Sequence, residues 1–484
     1  MKILLLNPPR INSVWCGVPD IFNGPDQHLF PPLGAMYLSS YLKAKTDHEV
    51  RLMDPNAFDT SDAAIEREMR EFGPDVVGIT TLTHNIIDVH RMAKMAHKVN
   101  PDVHVTLGGP HITEFPDHAV QLSHVESVVT AMDPEPTLHA MLDALAAGKS
   151  LETVPGLKYK EHDGSVRQTA GGGFNKNIDE LPFPDRQALD LSKFYTPGMV
   201  AGLATTAVTS RGCPQPCHFC MASRSFRLRS PANIVDEMEE CKRLGITEIQ
   251  YIDDIFNAPA KRVIAISEEI LRRKVKMAWG FKAIVNATTR EMLEKAKEAG
   301  CVKAHFGVET GTEEGLESIG KTFIKLDDSR RVFKWCKELG IKSCAYIMIG
   351  IPWEKSRDDI KRTVDFIREL DPTFVVYALM SPYPGTPLWK KGAEMGLWEA
   401  DLWDRFLRNP TQEGRNLPTV WTEHFNKTEL LQIFKELNRE FYFNPSKVLS
   451  TLLQIQSMAE LKRIFYGGLG ILRLQFLNAS KGNI

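Results

Sequence analysis

Short apolar runs alternate with helical patterns along most of this 484-residue chain. The first run, Lys2–Leu6, ends at Asn7, Pro8 and Pro9, which is typical of a buried parallel strand stopped by proline. Further strands are predicted over Glu49–Met53, Val76–Thr80, Val103–Leu107 and Ser127–Thr130, with helices over Leu33–Leu42, Asp62–Phe72, Asn85–Val99 and Glu135–Ala147. This alternation predicts an α/β fold with a doubly wound, Rossmann-like parallel sheet over residues 1–150.

A sheet of this kind binds its ligand in the crevice at the carboxyl ends of its strands. The loops at that edge are Asn7–Arg10, Thr80–Asn85, Gly108–His111 and Met132–Glu135. Their glycines and small polar residues let the backbone approach a large flat or phosphate-bearing ligand closely. Such a sheet can also bind a nucleotide, act as a receiver module or bind nothing, so the loops alone leave the ligand open.

A second alternation begins at the apolar run Ala204–Val208. Strands are predicted over Glu248–Ile252, Met277–Ala283, Val302–Val308, Ser343–Ile349 and Phe374–Met380, with helices over Asn233–Leu244, Lys261–Arg273, Arg290–Ala299, Asp328–Leu339 and Ser356–Leu370. With the first run this makes six βα units, which are too few for a closed eightfold barrel.

Three closely spaced cysteines, Cys213, Cys217 and Cys220, follow the first strand of this second alternation. Thiolates select zinc or an iron–sulfur cluster. A structural zinc site usually takes four protein ligands as two separated pairs, and no second pair of Cys or His stands near enough. A cubane with one iron that lacks a protein ligand fits better. A structural zinc knuckle and three unlinked thiols are the alternatives.

The composition excludes several classes of protein. With 59 basic and 61 acidic residues, the chain has no overall charge that would favour nucleic acid. The five other cysteines, Cys16 among them, lie apart from one another and indicate reduced core thiols rather than a disulfide framework. The sequence has no signal-peptide pattern and no run near the ~20 apolar residues of a membrane span. We therefore expect a cytoplasmic protein that is soluble or at most peripheral to a membrane.

The cysteine triplet, with Phe219 just before its last member, resembles the cluster loop of the radical S-adenosylmethionine (SAM) enzymes, whose fourth iron is free to chelate SAM. The resemblance implies a partial (β/α)6 barrel and a [4Fe-4S] cluster on the three cysteines. The SAM-binding residues that it implies follow successive strands: Asp253 and Asp254, Glu309 and Thr310, and Ile349 and Gly350. The segment Pro382–Pro387 resembles the family's closing turn.

Three basic residues of this region need separate interpretation. Lys282 stands on the third strand, where relatives often carry an arginine, which puts a substrate or carboxylate contact in doubt. Arg227 and Arg229 are candidates for the SAM carboxylate, with surface solvation as the alternative.

The segments Phe30–Gly34, Pro74–Gly78 and Leu107–His111 resemble the cobalamin-binding domain that precedes the radical SAM core in many methylases. The cobalamin contacts that this resemblance implies are Pro8, Pro9, Leu33, Gly34, Thr80, Thr81, Thr83, His84, Gly108, Gly109, His111, Met132, Asp133 and Glu135. Two departures qualify it. The D-x-H-x-x-G element is missing from the loop after the first strand, which favours a lower cobalamin face without a protein histidine. The family's Gly-Glu-Gly-Glu loop is here Met132–Glu135.

Weaker patterning marks the domain boundaries. Residues 151–195 are predicted to form a linker that begins with a hairpin, residues 196–395 the barrel, and residues 396–484 a helical C-terminal domain. The tail from Pro445 has five basic residues and one acidic residue, with apolar residues at helical spacing. Such a helix docks on a membrane surface or packs on its own protein.

The activity that the resemblance implies is methyl transfer to an unactivated carbon of a small or lipid-like molecule. A 5′-deoxyadenosyl radical and methylcobalamin carry this chemistry, and an external donor such as flavodoxin or ferredoxin supplies the electron. One alternative is a radical oxidative cyclase or ring-forming enzyme with the same cofactors. A second is a cobalamin or iron–sulfur sensor without turnover. No catalytic side chain is predicted.

Overall fold

The computed structural model describes residues 1–14, 30–194, 202–408, 410–411, 420–453, 455 and 458–475. Cys16, the predicted boundary at residue 195 and the last nine residues of the tail lie outside this part of the chain. The chain divides into two compact units. Within the described residues, the first unit contains 1–14, 30–194, 401–408 and 410–411, and the second contains 202–400 and the residues from 420 onward.

The first unit is built on a seven-stranded sheet. Its strands are β1 (Lys2–Leu6), β2 (Glu49–Met53), β3 (Val76–Thr80), β4 (His104–Gly108), β5 (Ser127–Val129), β6 (Leu157–Lys160) and β7 (Val166–Gln168). Its helices up to residue 146 are α1 (Leu33–Lys45), α2 (Asp62–Phe72), α3 (Ile86–Val99), α4 (Pro110–Glu114), α5 (Pro116–Gln121) and α6 (Pro134–Ala146). The strand order is β2-β1-β3-β4-β5-β6-β7, with β1 to β5 parallel.

This arrangement confirms the predicted doubly wound sheet. The side chains from Ile3 to Leu6 are fully or almost fully buried, as expected for a strand covered on both faces. The predicted hairpin forms too, but β6 pairs antiparallel with β5 and extends the sheet. The structure therefore places the first part of the predicted linker inside the first unit.

The second unit contains a six-stranded parallel sheet in the order β15-β14-β13-β12-β11-β8. The strands are β8 (Ala204–Ala207), the short antiparallel pair β9 (Ser210–Arg211) and β10 (Arg227–Leu228), β11 (Glu248–Tyr251), β12 (Ala278–Ala283), β13 (Cys301–Glu309), β14 (Lys342–Ile349) and β15 (Phe374–Leu379). The intervening helices are α7 (Pro231–Arg243), α8 (Ala260–Arg272), α9 (Arg290–Glu298), α10 (Glu313–Ser318), α11 (Leu326–Leu339) and α12 (Arg357–Leu370). This confirms the predicted partial (β/α)6 barrel.

The two faces of this sheet differ in polarity. Trp279 and Phe281 point to one face, where both are fully buried and Phe281 stacks on Phe256 at 5.0 Å between ring centroids. The alternate residues point to the other face, where Nζ of Lys303 lies 2.8 Å from Oε1 of Glu248. The helices therefore cover an apolar face, and the opposite face carries charged side chains.

The remaining helices are α13 (Pro387–Glu394), α14 (Leu402–Arg408), α15 (Lys427–Tyr442), α16 (Pro445–Leu453) and α17 (Met458–Gln475). The residues predicted as one C-terminal domain divide between the units, because α14 packs in the first. There Trp403 stacks on Phe115 at 6.2 Å, and Asp404 lies 2.8 Å from Nε2 of His118. Among the residues that the structure describes, none of the helices combines the length and apolar character needed to cross a membrane.

Candidate functional site

The cysteine loop of the second unit is closed at its base by the β9–β10 pair. Within the loop, the amide of Cys213 donates to the carbonyl of Ser223 at 2.7 Å. Gly212 has a φ of 82°, and a Cβ there would lie 2.5 Å from the carbonyl oxygen of Ser225. The close approach of these two backbone segments requires glycine at this position.

The three predicted cluster ligands are free thiols on this loop. Cys217 is buried, and Cys213 and Cys220 are half-buried. Burial raises the pKa of Cys217 to about 11, so cluster assembly has to displace its proton. The described residues contain no group of three or more His, Cys, Asp or Glu arranged around a single point. The thiolates of a cubane bind different irons, so they do not converge on one point.

The two predicted aspartates after β11 have different surroundings. Oδ1 of Asp253 accepts hydrogen bonds from the amide and hydroxyl of Thr209, at 2.9 and 2.8 Å, and from the hydroxyl of Ser210 at 2.5 Å. Burial raises the pKa of Asp253, although these donors and Arg262 oppose the shift. Asp254 is exposed. Asp253 therefore fixes the start of the cysteine loop, and Asp254 is the one free to meet a ligand.

The predicted residue Glu309, at the end of β13, forms a buried ion pair that sequence reasoning missed. Its Oε1 lies 2.6 Å from Nζ of Lys321, which also donates to the carbonyl of Gly307 at 3.2 Å. Burial alone would lower the pKa of Lys321, but Glu309, Cys217 and Cys220 outweigh it, and the pKa is raised. A permanent ammonium group therefore lies in the electrostatic field of two predicted cluster ligands.

The predicted SAM contacts at the ends of β13 and β14 are more buried than Asp254. The hydroxyl of Thr310 is buried 3.1 Å from that of Thr363, and Ile349 is fully buried. The amide of Gly350 donates to Oε2 of Glu354 at 2.6 Å. Phe219 is half-buried on the cysteine loop.

The structure distinguishes the three basic residues considered above. Arg229 is buried, pairs with Glu237 and donates to the carbonyl of Val208 at 2.8 Å, so it has a structural role. Arg227 is buried as well. Lys282 is half-buried, and burial lowers its pKa despite Asp254 and Asp253. Lys282 thus shares an electrostatic environment with the predicted SAM-binding aspartates.

In the first unit, polar residues outside the predicted set hold the loop after β1, where Pro8 and Pro9 are buried. Asp54 accepts from Nδ2 of Asn7 at 2.9 Å, and Asn56 accepts from the amide of Arg10 at 2.9 Å. Farther along, Asp88 accepts from the amides of residues 11 and 12 at 3.0 and 2.8 Å. These anchors give the loop a defined conformation.

The loops after β3 and β4 are hydrogen-bonded to each other. The amide of Thr81 donates to the carbonyl of Gly108 at 2.7 Å, and the amide of His111 donates to the carbonyl of Thr81 at 3.2 Å. Gly109 has a φ of 112°, and a Cβ there would lie 2.7 Å from the Thr81 carbonyl oxygen. A Cβ at Gly108 or Gly34 would meet nothing within 4 Å. Gly34 and Gly108 therefore border open space.

The remaining predicted cobalamin contacts divide between buried and open positions. Leu33, Asp133 and Glu135 are buried, and Asp133 accepts from the amide of Asn175 at 2.6 Å. Met132 is exposed. Thr80 is half-buried at the end of β3. The hydroxyl of Thr83 is hydrogen-bonded to Nδ1 of His111 at 3.1 Å. The loop Met132–Glu135 therefore presents mainly Met132 to a ligand.

Sequence comparison agrees with this geometry. Residues 207–367 match the model of the radical SAM superfamily, and residues 24–138 match that of the B12-binding domain. The chain is similar to an uncharacterized methyltransferase of Pyrococcus horikoshii, with 30% identity over 94% of this chain and 95% of that protein. It is also similar to the anaerobic magnesium-protoporphyrin IX monomethyl ester cyclase of Rubrivivax gelatinosus, with 26% identity over 75% of this chain and 66% of the cyclase.

A solved structure shares the fold. The cobalamin-dependent S-adenosylmethionine radical enzyme OxsB, with aqua-cobalamin and S-adenosylmethionine bound, superimposes with a TM-score of 0.70 at 20% identity. The alignment covers 98% of this chain and 72% of OxsB. With the full-length relative, the two family models and this fold in agreement, the chain belongs to the family of cobalamin-dependent radical SAM enzymes.

Proposed function

We propose that the protein is a methyltransferase that acts on an unactivated carbon of a small or lipid-like molecule. When bound, SAM on a [4Fe-4S] cluster supplies a 5′-deoxyadenosyl radical, and methylcobalamin supplies the methyl group. The observation that carries the proposal is the presence of both cofactor folds in one chain. Hydrogen abstraction needs only the cluster and SAM, so the presence of the first unit in addition is explained by delivery of a group to the substrate.

The proposal assigns the cluster to Cys213, Cys217 and Cys220. Lys321 and Asp254 provide a cation and an anion for the carboxylate and ammonium of SAM, because charge-assisted hydrogen bonds are the strong ones. Asp253 keeps the cysteine loop in place through Thr209 and Ser210. The chain's own groups therefore position the reactants.

The proposal assigns cobalamin to the loops at the carboxyl ends of β1, β3, β4 and β5. The open space beside Gly34 and Gly108 supports this assignment. The anchors Asp54 and Asp88 support it too, since their hydrogen bonds give the β1 loop a defined conformation.

A second candidate activity is radical cyclisation, which the similarity to the Rubrivivax gelatinosus cyclase favours. Isotope labelling separates the two. The protein, loaded with both cofactors, is incubated without oxygen with a reductant, SAM deuterated in its methyl group and the small-molecule fraction of cells that encode it. Methyl transfer predicts a deuterated product, with 5′-deoxyadenosine and S-adenosylhomocysteine in comparable amounts. Turnover with deoxyadenosine but no label in the product would establish the cyclase alternative, and no SAM-derived product at all would favour a sensor.

We also propose an external electron donor such as flavodoxin or ferredoxin, and a peripheral membrane contact through the tail. The second rests on α16, where Leu449 and Leu453 are 60% and 78% exposed. Co-sedimentation with anionic phospholipid vesicles tests it. Replacement of both leucines by serine should abolish binding without affecting SAM cleavage, and equal binding of the variant would refute the contact.

A further inference from the structure

The face of the barrel sheet opposite the helices carries a cation without a counterion. Lys282 follows Phe281 on β12, so its side chain points away from the helix-covered face, and it is half-buried there. In the part of the chain that the structure describes, its ammonium has no hydrogen-bond or ion-pair partner. Burial lowers the pKa of Lys282, and the carboxylates of Asp254 and Asp253 oppose this shift only in part. Burial of a charge is normally compensated by a partner, which the fold does not supply here.

The lysines on either side of this cation are already paired. Toward the amino ends of the strands, Nζ of Lys303 lies 2.8 Å from Oε1 of Glu248. Toward the carboxyl ends, Nζ of Lys321 lies 2.6 Å from Oε1 of Glu309. A Cβ at Gly307 would lie 3.0 Å from Nζ of Lys321, which places the second pair over the same face of the sheet. The unpaired charge therefore lies at a level between two completed ion pairs.

Two neutral side chains beside Lys282 form a hydrogen-bonded pair. His305 is opposite Lys282 in the register of β12 and β13, and its Nδ1 lies 3.1 Å from the hydroxyl of Tyr346 on β14. Burial, with the positive charges of Lys303 and Lys282, lowers the pKa of His305 to about 3, so its ring is neutral. The pair then has two donor hydrogens, one N–H and one O–H, and its internal bond uses one of them. In either tautomer, one donor remains for a ligand.

The sheet is open next to this pair. Val376 of β15 is opposite Tyr346 in the register and is 42% exposed. Cys344 of β14 is opposite His305, and burial raises the pKa of its thiol to about 12, so the thiol adds no negative charge. Together with Lys282, these side chains offer a cation, a neutral donor and an apolar edge.

From this arrangement we propose that the open face of the barrel binds a carboxylate or phosphate group of the substrate, with Lys282 as its ion partner and the His305–Tyr346 pair as its neutral donor. The inference rests on the proposed function and adds a substrate class to it, namely a molecule with an anionic group beside an apolar part. The apolar part would contact Val376. An anion bound here restores the interactions that burial removes from the ammonium.

This subsite is distinct from the position proposed for the SAM carboxylate. Lys321, to which that carboxylate is assigned, donates to the carbonyl of Gly307. Gly307 lies two residues beyond His305 on β13, which corresponds to about 7 Å along a strand. The two cations are therefore neighbours that would hold different anions.

Binding of small anions tests the inference without catalysis. The full-length protein, loaded with cluster and cobalamin and saturated with SAM in the absence of a reductant, is dialysed against benzoate, phenylphosphonate or neutral benzyl alcohol. At least one anion should bind about tenfold or more tightly than the alcohol, because it gains a charged hydrogen bond. The tighter of the two anions indicates whether the substrate group is a carboxylate or a phosphate. Failure of both anions to bind more tightly than the alcohol would overturn the inference.

Substitution assigns the anion to its residues. Lys282→Met should weaken anion binding about tenfold or more, whereas Lys282→Arg should retain most of it. Tyr346→Phe should cause a smaller loss. Lys334→Met, which removes an exposed lysine of α11, is the control and should bind the anions as the unsubstituted protein does. Thermal unfolding checks that each variant is folded. Undiminished anion binding in folded Lys282→Met would refute the subsite, and so would an equal loss of SAM affinity, which would place Lys282 at SAM instead.

The deuterium-labelling assay separates this inference from the proposed function. The cell-derived small-molecule fraction is first divided on an anion-exchange resin at neutral pH, and the compound that receives the label should be among those retained. Transfer of the label to a compound in the unretained fraction would refute an anionic substrate and leave methyl transfer intact. Anion binding that depends on Lys282, without transfer of the label to any compound, would support the subsite and contradict methyl transfer.

Discussion

Lys321 and Glu309 are twelve positions apart in the sequence, yet their Nζ and Oε1 atoms lie 2.6 Å apart in a buried ion pair beside the cysteine loop. Glu309 has a φ of 67°, a left-handed conformation that costs a non-glycine residue free energy. A strained carboxylate held by a buried cation is typical of a functional site. The pair links the end of β13 to the predicted cluster ligands.

The first prediction concerns this cation. Lys321→Met leaves the Glu309 carboxylate buried without its partner, which is expected to cost about 3–5 kcal/mol of folding free energy. It should also weaken SAM binding by the cluster-loaded protein about tenfold or more, because the SAM carboxylate loses its counterion. Denaturant unfolding and equilibrium dialysis with SAM measure the two effects.

Lys303→Met is the matched control. Lys303 lies on β13, six residues before Glu309, and forms an equally buried ion pair with Glu248 of β11. It should cost similar stability and leave the SAM affinity of the folded fraction unchanged. Equal loss of SAM affinity in both variants would show that the effect of Lys321 is structural only.

The second prediction separates two adjacent carboxylates. Asp253→Ala leaves the buried amide and hydroxyl donors of Thr209 and Ser210 unsatisfied, at about 1–3 kcal/mol for each group. Asp254→Ala removes an exposed side chain and should change stability by less than about 0.5 kcal/mol. The SAM affinity should fall in Asp254→Ala. Thermal unfolding and SAM binding test this division, which is wrong if Asp254→Ala is the less stable variant.

The third prediction concerns pH. Burial raises the pKa of Glu354 to about 8, against hydrogen bonds from the amides of Gly350 and Ile351. The folded protein therefore holds this proton more tightly than the unfolded chain, whose carboxyl titrates near 4.5. The resulting stability is fully present below pH 4.5 and is lost as the pH rises through 8, with a slope of at most about 1.4 kcal/mol per pH unit.

Glu354→Gln keeps a neutral acceptor for the amides of Gly350 and Ile351. It should remove the pH-dependent part of the stability that Glu354 contributes. Unfolding measured between pH 6 and pH 9 should then be less pH-dependent in the variant than in the unsubstituted protein. Identical pH profiles would mean that Glu354 is ionised in the folded state.

The sequence was sufficient to predict both sheets because their strands are continuous apolar runs between punctuating prolines and glycines. The cysteine triplet could be identified from the sequence for a similar reason, because its three members stand close together in one short segment. The strands β6 and β7 mix charged and polar residues with apolar ones, so they lack the apolar run that would assign them to a sheet, and their addition to β5 was missed.

The missed site residues all act across the fold. Asp54, Asp88 and Lys321 are ordinary charged residues by pattern, and only tertiary packing brings them to Asn7, residues 11 and 12, and Glu309. The same limit applies to Asp253 and Asp254, which are neighbours with equal chemistry. Strand alternation and loop closure bury one and expose the other, and a single sequence does not specify which.

The central claim is that one chain holds an iron–sulfur cluster on three cysteines and cobalamin in a separate unit, and metal analysis tests it most directly. The protein, reconstituted without oxygen and loaded with cobalamin, should contain about four irons, four sulfides and one cobalt per chain. Cys217→Ala should lose iron and sulfide and keep cobalt, whereas Cys336→Ala, a buried thiol of α11, should keep all three. Stoichiometric zinc without sulfide, or iron retained in full by Cys217→Ala, would contradict the account.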